Sequence, residues 1–400
     1  MSDWVTAKLK DVAKVVTGKT PQTSNSEYYG GDIPFVSPAD LNEGILSETK
    51  TYLTSSGADQ VYRVPKNTVL VSCIGNLGKL AITAKEVCFN QQINGLIFDE
   101  QKIFPKYGFY FAQTIKPQLE KASSSTTLPI VNKSRFSDLE IKYPPLSEQR
   151  RIASILDQAD ELRQKRQQAI EKLDQLLQAT FIDMFGDPVS NPKGFEVKKL
   201  SEQVDLIQIG PFGTQLHQED YIENGIPLIN PSHIKNGKII PNHKLTVSQS
   251  KYEELTQYHL RLNDVLLGRR GEMGRCAVVT QNEVGWLCGT GSLFLRLNVE
   301  KINPFFLEML LSSDSIKRYL ENVSQGQTMA NLNKTIVGSI PLIAPSIEIQ
   351  NKFFLIAEKI DKMKTELKSA KNQVNNLFES LQNQAFNGTS FENLRYKDSL

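Results

Sequence analysis

The stretch Gly18-Lys19-Thr20 is the closest approach in the chain to a nucleotide-binding loop. In such a loop, GxxxxGK[ST], backbone N–H groups surround phosphate oxygens and the lysine reaches the terminal phosphates. Here Ala13 stands at the position of the first glycine, and two valines stand where the loop needs flexible residues. The matching stretch of the second half, 210–213, has no lysine. These departures weigh against a nucleotide site.

Other catalytic arrangements are also incomplete. Adenine or cytosine methylation needs a glycine-rich cofactor loop and an Asn-Pro-Pro-aromatic stretch, but the runs that begin at Asn230 and Asn303 lack the second proline. The four histidines are spaced 16, 10 and 16 residues apart, so none forms the i, i+4 pair of a helical metal site. A nuclease would have to use Asp187 with Glu196 and Lys198, for which the second copy has no equivalent. We expect neither a catalytic centre nor a metal site.

The overall charge is nearly balanced. The chain has 400 residues, with 46 Lys and Arg against 44 Asp and Glu, for a net charge of +2. This removes the simplest argument for nucleic-acid binding, a strongly basic domain. No apolar run approaches the ~18 residues of a membrane span, and the first residues do not resemble a secretion signal. The four cysteines include no CxxC pair, so we expect neither disulfides nor a zinc site. Together these features predict a cytoplasmic protein without membrane contact.

The chain repeats itself at half its length, which indicates two related units. Leu128–Ile141 matches Met329–Leu342 at a constant offset of 201, and the same offset pairs Gln149 with Gln350. Earlier in each half the offset is 193 or 196, so insertions and deletions fall there. Each half therefore consists of a variable part followed by a part of fixed length.

The fixed-length parts have the heptad spacing of long helices. Apolar residues step by three and four over 152–180 and again over 353–381. Proline and serine precede each stretch, and glycine follows it as a stop signal. We predict two long helices, 147–188 and 346–388, that pack along a seam. The predicted seam and partner interface consists of Ile152, Ile155, Leu162, Arg166, Leu173, Leu176, Phe353, Ile356, Met363, Leu367 and Leu377.

Arg166 is the one charged residue on the first predicted seam. Its stem can lie along apolar neighbours while its head stays in water. Alternatively, it can mark the crossing point of the two helices, because a polar seam position specifies pairing. The other charges on the helices are mixed in sign, which indicates a solvated face rather than a phosphate-binding stripe.

The two remaining parts, 1–146 and 189–345, combine short β-like runs with a helical stretch. We predict an α+β fold. It has two similar mixed α/β domains separated by two long antiparallel helices, a pseudo-twofold internal repeat, and a tail over 389–400.

This organisation resembles the DNA-specificity (S) subunit of type I restriction-modification enzymes. The most specific motifs are Pro144-Pro-Leu-Ser-Glu-Gln-Arg-Arg-Ile152 at the start of the first helix and the ending Phe181–Pro188. Three further motifs look like the family's target-recognition domain pattern: Gly18-Lys-Thr-Pro21, Ile33-Pro34 and Asn90-Gln91. The second copy departs from the family, since 344–350 has lost one proline and the Glu-Gln pair.

The resemblance implies a non-catalytic subunit with two target-recognition domains, 1–146 and 189–345. Each would read one half of a bipartite, asymmetric site on double-stranded DNA. Two methyltransferase subunits would dock on the helices and supply S-adenosylmethionine, and restriction subunits would use ATP and Mg for translocation and cleavage. The chain itself is then expected to hold no cofactor.

Side chains that read bases must be polar, exposed and in loops. The pair Arg269-Arg270 is the best candidate, because a bidentate contact of Arg with guanine is the commonest specific one; two ordinary surface charges are the alternative. Asn132-Lys133 and its repeat Asn333-Lys334 suit backbone positioning or a structural turn. The candidates are Lys19, Thr20, Gln22, Ser24, Asn76, Lys79 and Gln92 in the first domain, and Arg269, Arg270, Arg275, Gln325 and Gln327 in the second.

Two other hypotheses stay open on the residues alone. A non-catalytic coiled-coil adaptor with two protein-binding domains would show the same repeat and helices. An enzyme with a degenerate nucleotide site at 18–20 would bind nucleotide as the isolated chain.

Overall fold

The computed structural model describes residues 4–124, 128–213, 215–324 and 332–386. The chain folds as two compact units: unit 1 contains 1–168 and 368–400, and unit 2 contains 169–367. Each unit thus holds one globular part together with one half of each long helix. The predicted domain limits leave the long helices outside the globular parts, and these limits stay a prediction.

Unit 1 contains eleven short strands and five short helices in its described residues. The strands are β1 (Val5–Lys8), β2 (Ala13–Thr17), β3 (Tyr29–Val36), β4 (Ile45–Leu46), β5 (Thr51–Leu53), β6 (Arg63–Val64), β7 (Val69–Ser72), β8 (Leu80–Thr83), β9 (Val87–Phe89), β10 (Ile93–Phe98) and β11 (Glu140–Tyr143). The short helices are α1 (Leu9–Val12), α2 (Ser55–Ala58), α3 (Pro105–Ala112), α4 (Lys116–Ala122) and α5 (Lys133–Ser137).

The main sheet of unit 1 has the strand order β2-β10-β7-β8-β4. Strands β7 and β8 read Val-Leu-Val-Ser and Leu-Ala-Ile-Thr and are buried at every position, as expected of central strands that are covered on both faces. A second sheet has the order β5-β3-β9-β6, and β1 pairs with β11. Helix α3 packs on β7 and β8, so aromatic residues of α3 such as Tyr107 fill the core.

Unit 2 repeats this architecture with different details. Its strands are β12 (Val197–Lys199), β13 (Val204–Ile209), β14 (Tyr221–Ile222), β15 (Ile226–Ile229), β16 (Ile234–Lys235), β17 (Lys238–Ile239), β18 (Thr246–Val247), β19 (Val265–Gly268), β20 (Cys276–Val278), β21 (Leu287–Cys288), β22 (Ser292–Leu297) and β23 (Pro341–Ile343). Its short helices are α7 (Leu200–Gln203), α8 (Gln249–Glu254), α9 (Pro304–Leu311), α10 (Asp314–Ser324) and α11 (Lys334–Gly338).

The main sheet of unit 2 has the order β13-β22-β19-β20, which matches β2-β10-β7-β8 of unit 1. The pair β12 and β23 corresponds to β1 and β11, and α9 occupies the place of α3. The predicted α+β class and the two similar mixed domains are therefore confirmed.

Two long helices of 40 residues follow the globular parts. They are α6 (Leu146–Phe185), which we call the first long helix, and α12 (Ile347–Phe386), the second long helix. At ~1.5 Å per residue each extends over about 60 Å. Glu148 and Glu348 lie in their first turns, where a carboxylate interacts favourably with the helix dipole.

The long helices run antiparallel within each unit. In unit 1, Arg163 Nε donates to Asn375 Oδ1 at 3.0 Å and Lys371 Nζ donates to Gln167 Oε1 at 2.6 Å, so the numbers rise on one helix as they fall on the other. In unit 2, Lys364 forms an ion pair with Asp174, and the rings of Phe181 and Phe353 lie 5.5 Å apart.

The ends of the long helices complete the cores of the units. In unit 1, Phe378 and Phe386 of the second long helix join the cluster around Tyr107. In unit 2, Phe181 and Phe185 of the first long helix pack against Phe306 of α9. Each globular core is therefore built from two distant parts of the chain.

The buried seam differs from the predicted one at alternate positions. Ile152, Leu173 and Phe353 are buried as expected, and Ile155, Ile356, Leu367 and Arg166 are half-buried. By contrast, Leu162, Leu176, Met363 and Leu377 are 42, 50, 51 and 46% exposed. From Ile152 and Phe353, the buried stripe advances by four residues, to Leu156 and Ala357, and then by three. The predicted seam advances from the same two residues by three and then by four. Both patterns share every seventh residue, so apolar spacing alone does not choose between them.

Candidate nucleic-acid interface

Three loops meet at one edge of the main sheet in unit 1. In the sheet register, Asn94 at the start of β10 lies opposite Thr17 at the end of β2, and Ile93 lies opposite Ser72 at the end of β7. The segments 18–25, 73–79 and 90–92 therefore emerge side by side, and we call them the loop edge of unit 1. Backbone bonds from Lys19 N to Phe89 O (3.0 Å) and from Cys73 N to Gln92 O (2.8 Å) tie them together.

All seven candidates of the first domain lie on the loop edge of unit 1. Lys19, Gln22, Ser24 and Asn76 are exposed, and Thr20, Lys79 and Gln92 are partly exposed. Thr20 Oγ1 donates to Gln91 Oε1 at 2.5 Å, and Asn90 Nδ2 donates to Gln92 Oε1 at 3.2 Å. These side chains form one polar surface held by a well-bonded backbone.

The loop edge of unit 2 has the same backbone arrangement. It consists of 210–217, 269–275 and 289–291, apart from residue 214, which lies outside the described residues. Arg269 N donates to Gly291 O at 2.9 Å, as Cys73 N does to Gln92 O. Leu332 N donates to Arg269 O at 3.1 Å, as Val131 N does to Cys73 O at 2.9 Å. The same hydrogen-bonded backbone arrangement therefore occurs in both units.

Gly18 and Gly210 show why this scaffold needs glycine. A Cβ atom on Gly18 would lie 2.2 Å from Asn90 O, and one on Gly210 would lie 2.0 Å from Gly289 O. Only glycine permits such a close approach of two backbones. The resemblance of Gly18-Lys19-Thr20 to a nucleotide loop thus has a structural cause that requires no phosphate.

Arg269 is not exposed, although a base-reading side chain must be. It is 4% exposed, its Nε donates to Leu332 O at 2.7 Å, and its guanidinium lies 5.9 Å from the ring centre of Phe212. Burial lowers the pKa of its guanidinium. It occupies the place of the buried Cys73, so its side chain braces the loop, whereas Arg270 is exposed at the edge.

The other candidates of the second domain differ in accessibility. Arg275 is partly exposed, forms an ion pair with Glu272 at 2.7 Å and donates from Nη1 to Pro231 O at 3.1 Å. Gln325 and Gln327 lie outside the described residues. The repeated asparagines have a structural role: Asn132 Oδ1 accepts from Arg135 N, and Asn333 Oδ1 accepts from Ile336 N, which caps α5 and α11.

The structure adds three residues that were not among the base-reading candidates. Phe212, 56% exposed, lies on the loop edge of unit 2. Thr290 lies between two glycines of the same edge, and Asn230 Oδ1 accepts from Gly291 N at 3.3 Å. The sequence could have located the turn at Thr290, because this turn corresponds in the repeat to the turn that contains Gln91 and Gln92. Phe212 offered no such signal, because its counterpart is Thr20.

Positive charge is concentrated on both loop edges. The edge of unit 1 carries Lys19 and Lys79 with no carboxylate, and the edge of unit 2 carries three arginines with Glu272 as its one carboxylate. Each edge therefore has a net charge of +2, in a chain whose total is also +2. Such local charge attracts phosphate groups even when the whole chain is nearly neutral.

The cysteines are free and buried, and burial raises the pKa of Cys73 to about 12 and that of Cys88 to about 11, which keeps the thiols protonated. Within the described ranges no group of three or more His, Cys, Asp or Glu could hold a metal ion. None of the helices in those ranges is long and apolar enough to span a membrane.

The chain matches known sequences over most of its length. The family model of the type I restriction modification DNA specificity domain matches residues 1–172 and 192–376. The MjaIX specificity subunit of Methanocaldococcus jannaschii is 30% identical over 261 residues, which are 60% of each chain. The MjaVIII specificity subunit of the same organism is 25% identical over 94% of this chain and 92% of its own.

Two solved structures share the fold. The S subunit of a type I restriction-modification system from M. genitalium has a TM-score of 0.58 with 16% identity and covers 96% of both chains. A chain from a study of complex assembly and conformational transition in the type I R-M system has a TM-score of 0.61 with 20% identity, over 96% of this chain and 98% of its own. Because the family model covers both halves of the chain, the resemblance inferred from its motifs is confirmed, and the chain belongs to the type I restriction modification DNA specificity family.

Proposed function

We propose that the chain is the DNA-recognition subunit of a type I restriction-modification complex in the cytoplasm, and that each loop edge reads one half of a bipartite site. One observation carries this proposal: the two loop edges have the same hydrogen-bonded backbone but different side chains. A shared backbone places both edges on DNA in the same way, because backbone and phosphate contacts set register. Different side chains then read different bases, which makes the site asymmetric.

The exposed side chains suggest which bases are read. Asn76 is exposed on the edge of unit 1, and an asparagine amide can pair bidentately with adenine in the major groove. Arg270 is exposed on the edge of unit 2, and a guanidinium can pair in the same way with guanine. Lys19 and Lys79 suit phosphate contacts, since an ammonium group acts as a point charge.

The long helices are proposed to set the distance between the half-sites. Half-sites on one face of a duplex repeat every ~34 Å, and each long helix extends over about 60 Å. A rod of this length is long enough to hold two recognition domains one helical turn apart.

Exposed apolar residues on the long helices support a partner surface. Leu162 and Leu377 belong to unit 1, and Met363 and Leu176 belong to unit 2. The repeat offset of 201 relates Leu162 to Met363 and Leu176 to Leu377, so each unit carries an equivalent pair. Apolar patches on a polar surface mark protein interaction sites, and we propose that each pair belongs to such a patch.

Two equivalent surfaces fit two copies of one partner, which we propose are methyltransferase subunits. Restriction subunits would complete the complex. S-adenosylmethionine, ATP and Mg would then bind in these partners and not in this chain.

Selection from a random pool of DNA duplexes tests the proposed function. The chain is co-purified with its methyltransferase subunits, and the bound duplexes are sequenced. We expect two short conserved blocks at a fixed separation. Absence of any enriched motif would refute DNA reading and favour the coiled-coil adaptor, and ATP binding by the chain alone would favour the enzyme hypothesis.

A further inference from the structure

Gln149 and Gln350 are repeat-related glutamines in the first turns of the two long helices. They are 0 and 1% exposed, although glutamine is mostly a surface residue. A buried primary amide is stable only if its donors and its acceptor are all bonded. The contacts of these two side chains therefore show what they hold together.

In unit 1 the amide of Gln149 joins three segments. Its Nε2 donates to Lys102 O at 2.8 Å and to Pro144 O at 2.9 Å. Its Oε1 accepts from Phe104 N at 2.8 Å. One side chain thus binds the start of the first long helix to the segment that enters it and to the segment that leads into α3.

In unit 2 the amide of Gln350 makes the equivalent contacts. Its Nε2 donates to Pro345 O at 2.9 Å and to Lys301 O at 3.4 Å. Its Oε1 accepts from Asn303 N at 2.9 Å. The partners are offset from those in unit 1 by 199 or 201 residues, so the whole arrangement is duplicated.

The segment that the glutamine holds is continuous with an interior strand of the main sheet, β10 in unit 1 and β22 in unit 2. In unit 1, β10 begins directly after the loop-edge turn 90–92 and ends at Phe98, just before Lys102. In unit 2, β22 connects the turn 289–291 to Lys301 in the same way. A six-residue strand is a short and rigid link, so fixing its far end fixes the loop edge relative to the long helix.

We propose that Gln149 and Gln350 are positioning residues that fix the orientation of each loop edge on its long helix. On the proposed function, on which this inference rests, that orientation sets the separation of the two half-sites. The glutamines touch no DNA. They hold each loop edge in one orientation on the long helix, so that the helices define a single spacer length while the loop edges select the bases.

Replacement by methionine keeps the shape of the side chain and removes all three hydrogen bonds. The variants Gln149→Met and Gln350→Met, each with the methyltransferase subunits, are subjected to selection from the random duplex pool. The matched control is Gln158→Met, because Gln158 is an exposed glutamine on the same helix. We expect the parent and the control to select one spacer length. The two variants should spread over adjacent lengths with both half-site sequences unchanged, and a single sharp spacer length in them would overturn the inference.

A distance measurement separates this inference from the proposed function. Spin labels are placed in the full chain at Asn76→Cys on the loop edge and Ser154→Cys on the first long helix, both exposed positions of unit 1. We expect a narrow distance distribution in the parent and a broader one with Gln149→Met. Equal widths would overturn the inference, whether or not the chain selects a bipartite site.

A merely structural glutamine would lower stability without changing this width. If Gln149→Met does not fold, Gln149→Asn replaces it, because the amide is kept but its shorter side chain does not reach all three partners. The expectation is then an intermediate width, and a parental width would contradict the inference. Tyr110, which donates to Asp157 at 2.8 Å, leaves unit 1 a second tie to the helix in either variant.

Discussion

Single side chains distinguish the two halves at places where their backbones coincide. Cys73 and Arg269 make the same backbone bonds, yet one side chain is a small buried thiol and the other a buried guanidinium bonded to Leu332 O. The sequence could predict that this loop is polar and repeated. It could not predict which of two adjacent arginines is exposed, since that depends on Leu332, which is distant in the sequence.

Arg270 is expected to read one base pair of the second half-site. In Arg270→Ala, discrimination at that position should fall by ~1–3 kcal/mol, because a bidentate contact with the base is lost. The first half-site should be unchanged. Competition binding with duplexes that carry single base changes measures this effect.

Lys19→Ala is the control for a phosphate contact, and it should weaken binding to all sequences alike and reduce the salt dependence. A uniform loss in Arg270→Ala would show that Arg270 contacts phosphate.

Glu308 should make the stability of unit 2 depend on pH. It lies in α9 at the position that Phe109 has in α3, and its side chain is 7% exposed. Burial raises the pKa of its carboxyl to about 7, although the positive charge of Lys317 acts to lower it. Between the ordinary value of 4.5 and about 7, the folded chain binds a proton that the unfolded chain releases. Stability from this group is therefore present below pH 4.5 and is lost as pH rises to about 7.

Glu308→Gln should remove this dependence and raise stability at pH 8 by ~1–3 kcal/mol. Urea unfolding at pH 5 and pH 8 measures the difference, with the exposed Glu300→Gln as the control. Equal pH dependence in Glu308→Gln and the parent would exclude a buried ionisable carboxyl.

At the scale of elements, the long helices were predictable and their contacts were not. Heptad spacing, prolines before each start and glycines after each end predict two long helices, and the structure has helices of 40 residues. The buried stripe runs through Leu156 rather than Ile155 and through Phe378 rather than Leu377, because the globular cores supply aromatic partners such as Tyr110 for one side of the helix. Such partners lie in distant parts of the sequence.

The exposed apolar pairs are expected to bind the methyltransferase subunits. Leu162→Glu with Leu377→Glu should abolish docking at unit 1 and leave one partner bound, because a charge in an apolar interface is costly to desolvate. Light scattering of the purified complex measures the number of bound subunits. Gln168→Glu, an exposed change on the same helix, should leave two subunits bound, and two subunits in the leucine variant would refute this surface.

The long helices should act as the ruler between the half-sites. Deleting residues 163–169 and 364–370 together removes one heptad from each helix and about 10 Å of length. Seven residues make almost two complete helical turns, so the packing faces on either side of the deletion stay aligned. We expect the spacer to shorten by about three base pairs with both half-sites kept, as read by duplex selection. An unchanged spacer would show that the distance is set elsewhere.

For the whole molecule, the repeat was the most informative signal in the sequence. A net charge of +2 argued against DNA binding when averaged over the chain, yet the same charge is found on each loop edge separately. The constant offset of 201 after residue 128 predicted which parts keep a fixed length. The sequence did not predict the division into two units, because the core of unit 1 takes residues from both ends of the chain, as with Phe386 beside Tyr107.

Exchange of one recognition domain tests whether each globular part reads its own half-site. Residues 1–146 are replaced by the corresponding domain of a relative such as the MjaVIII specificity subunit, and the chimaera is taken through duplex selection with its methyltransferase subunits. We expect one half-site to change while the other half-site and the spacer stay as in the parent. A change in both half-sites, or in neither, would contradict this expectation.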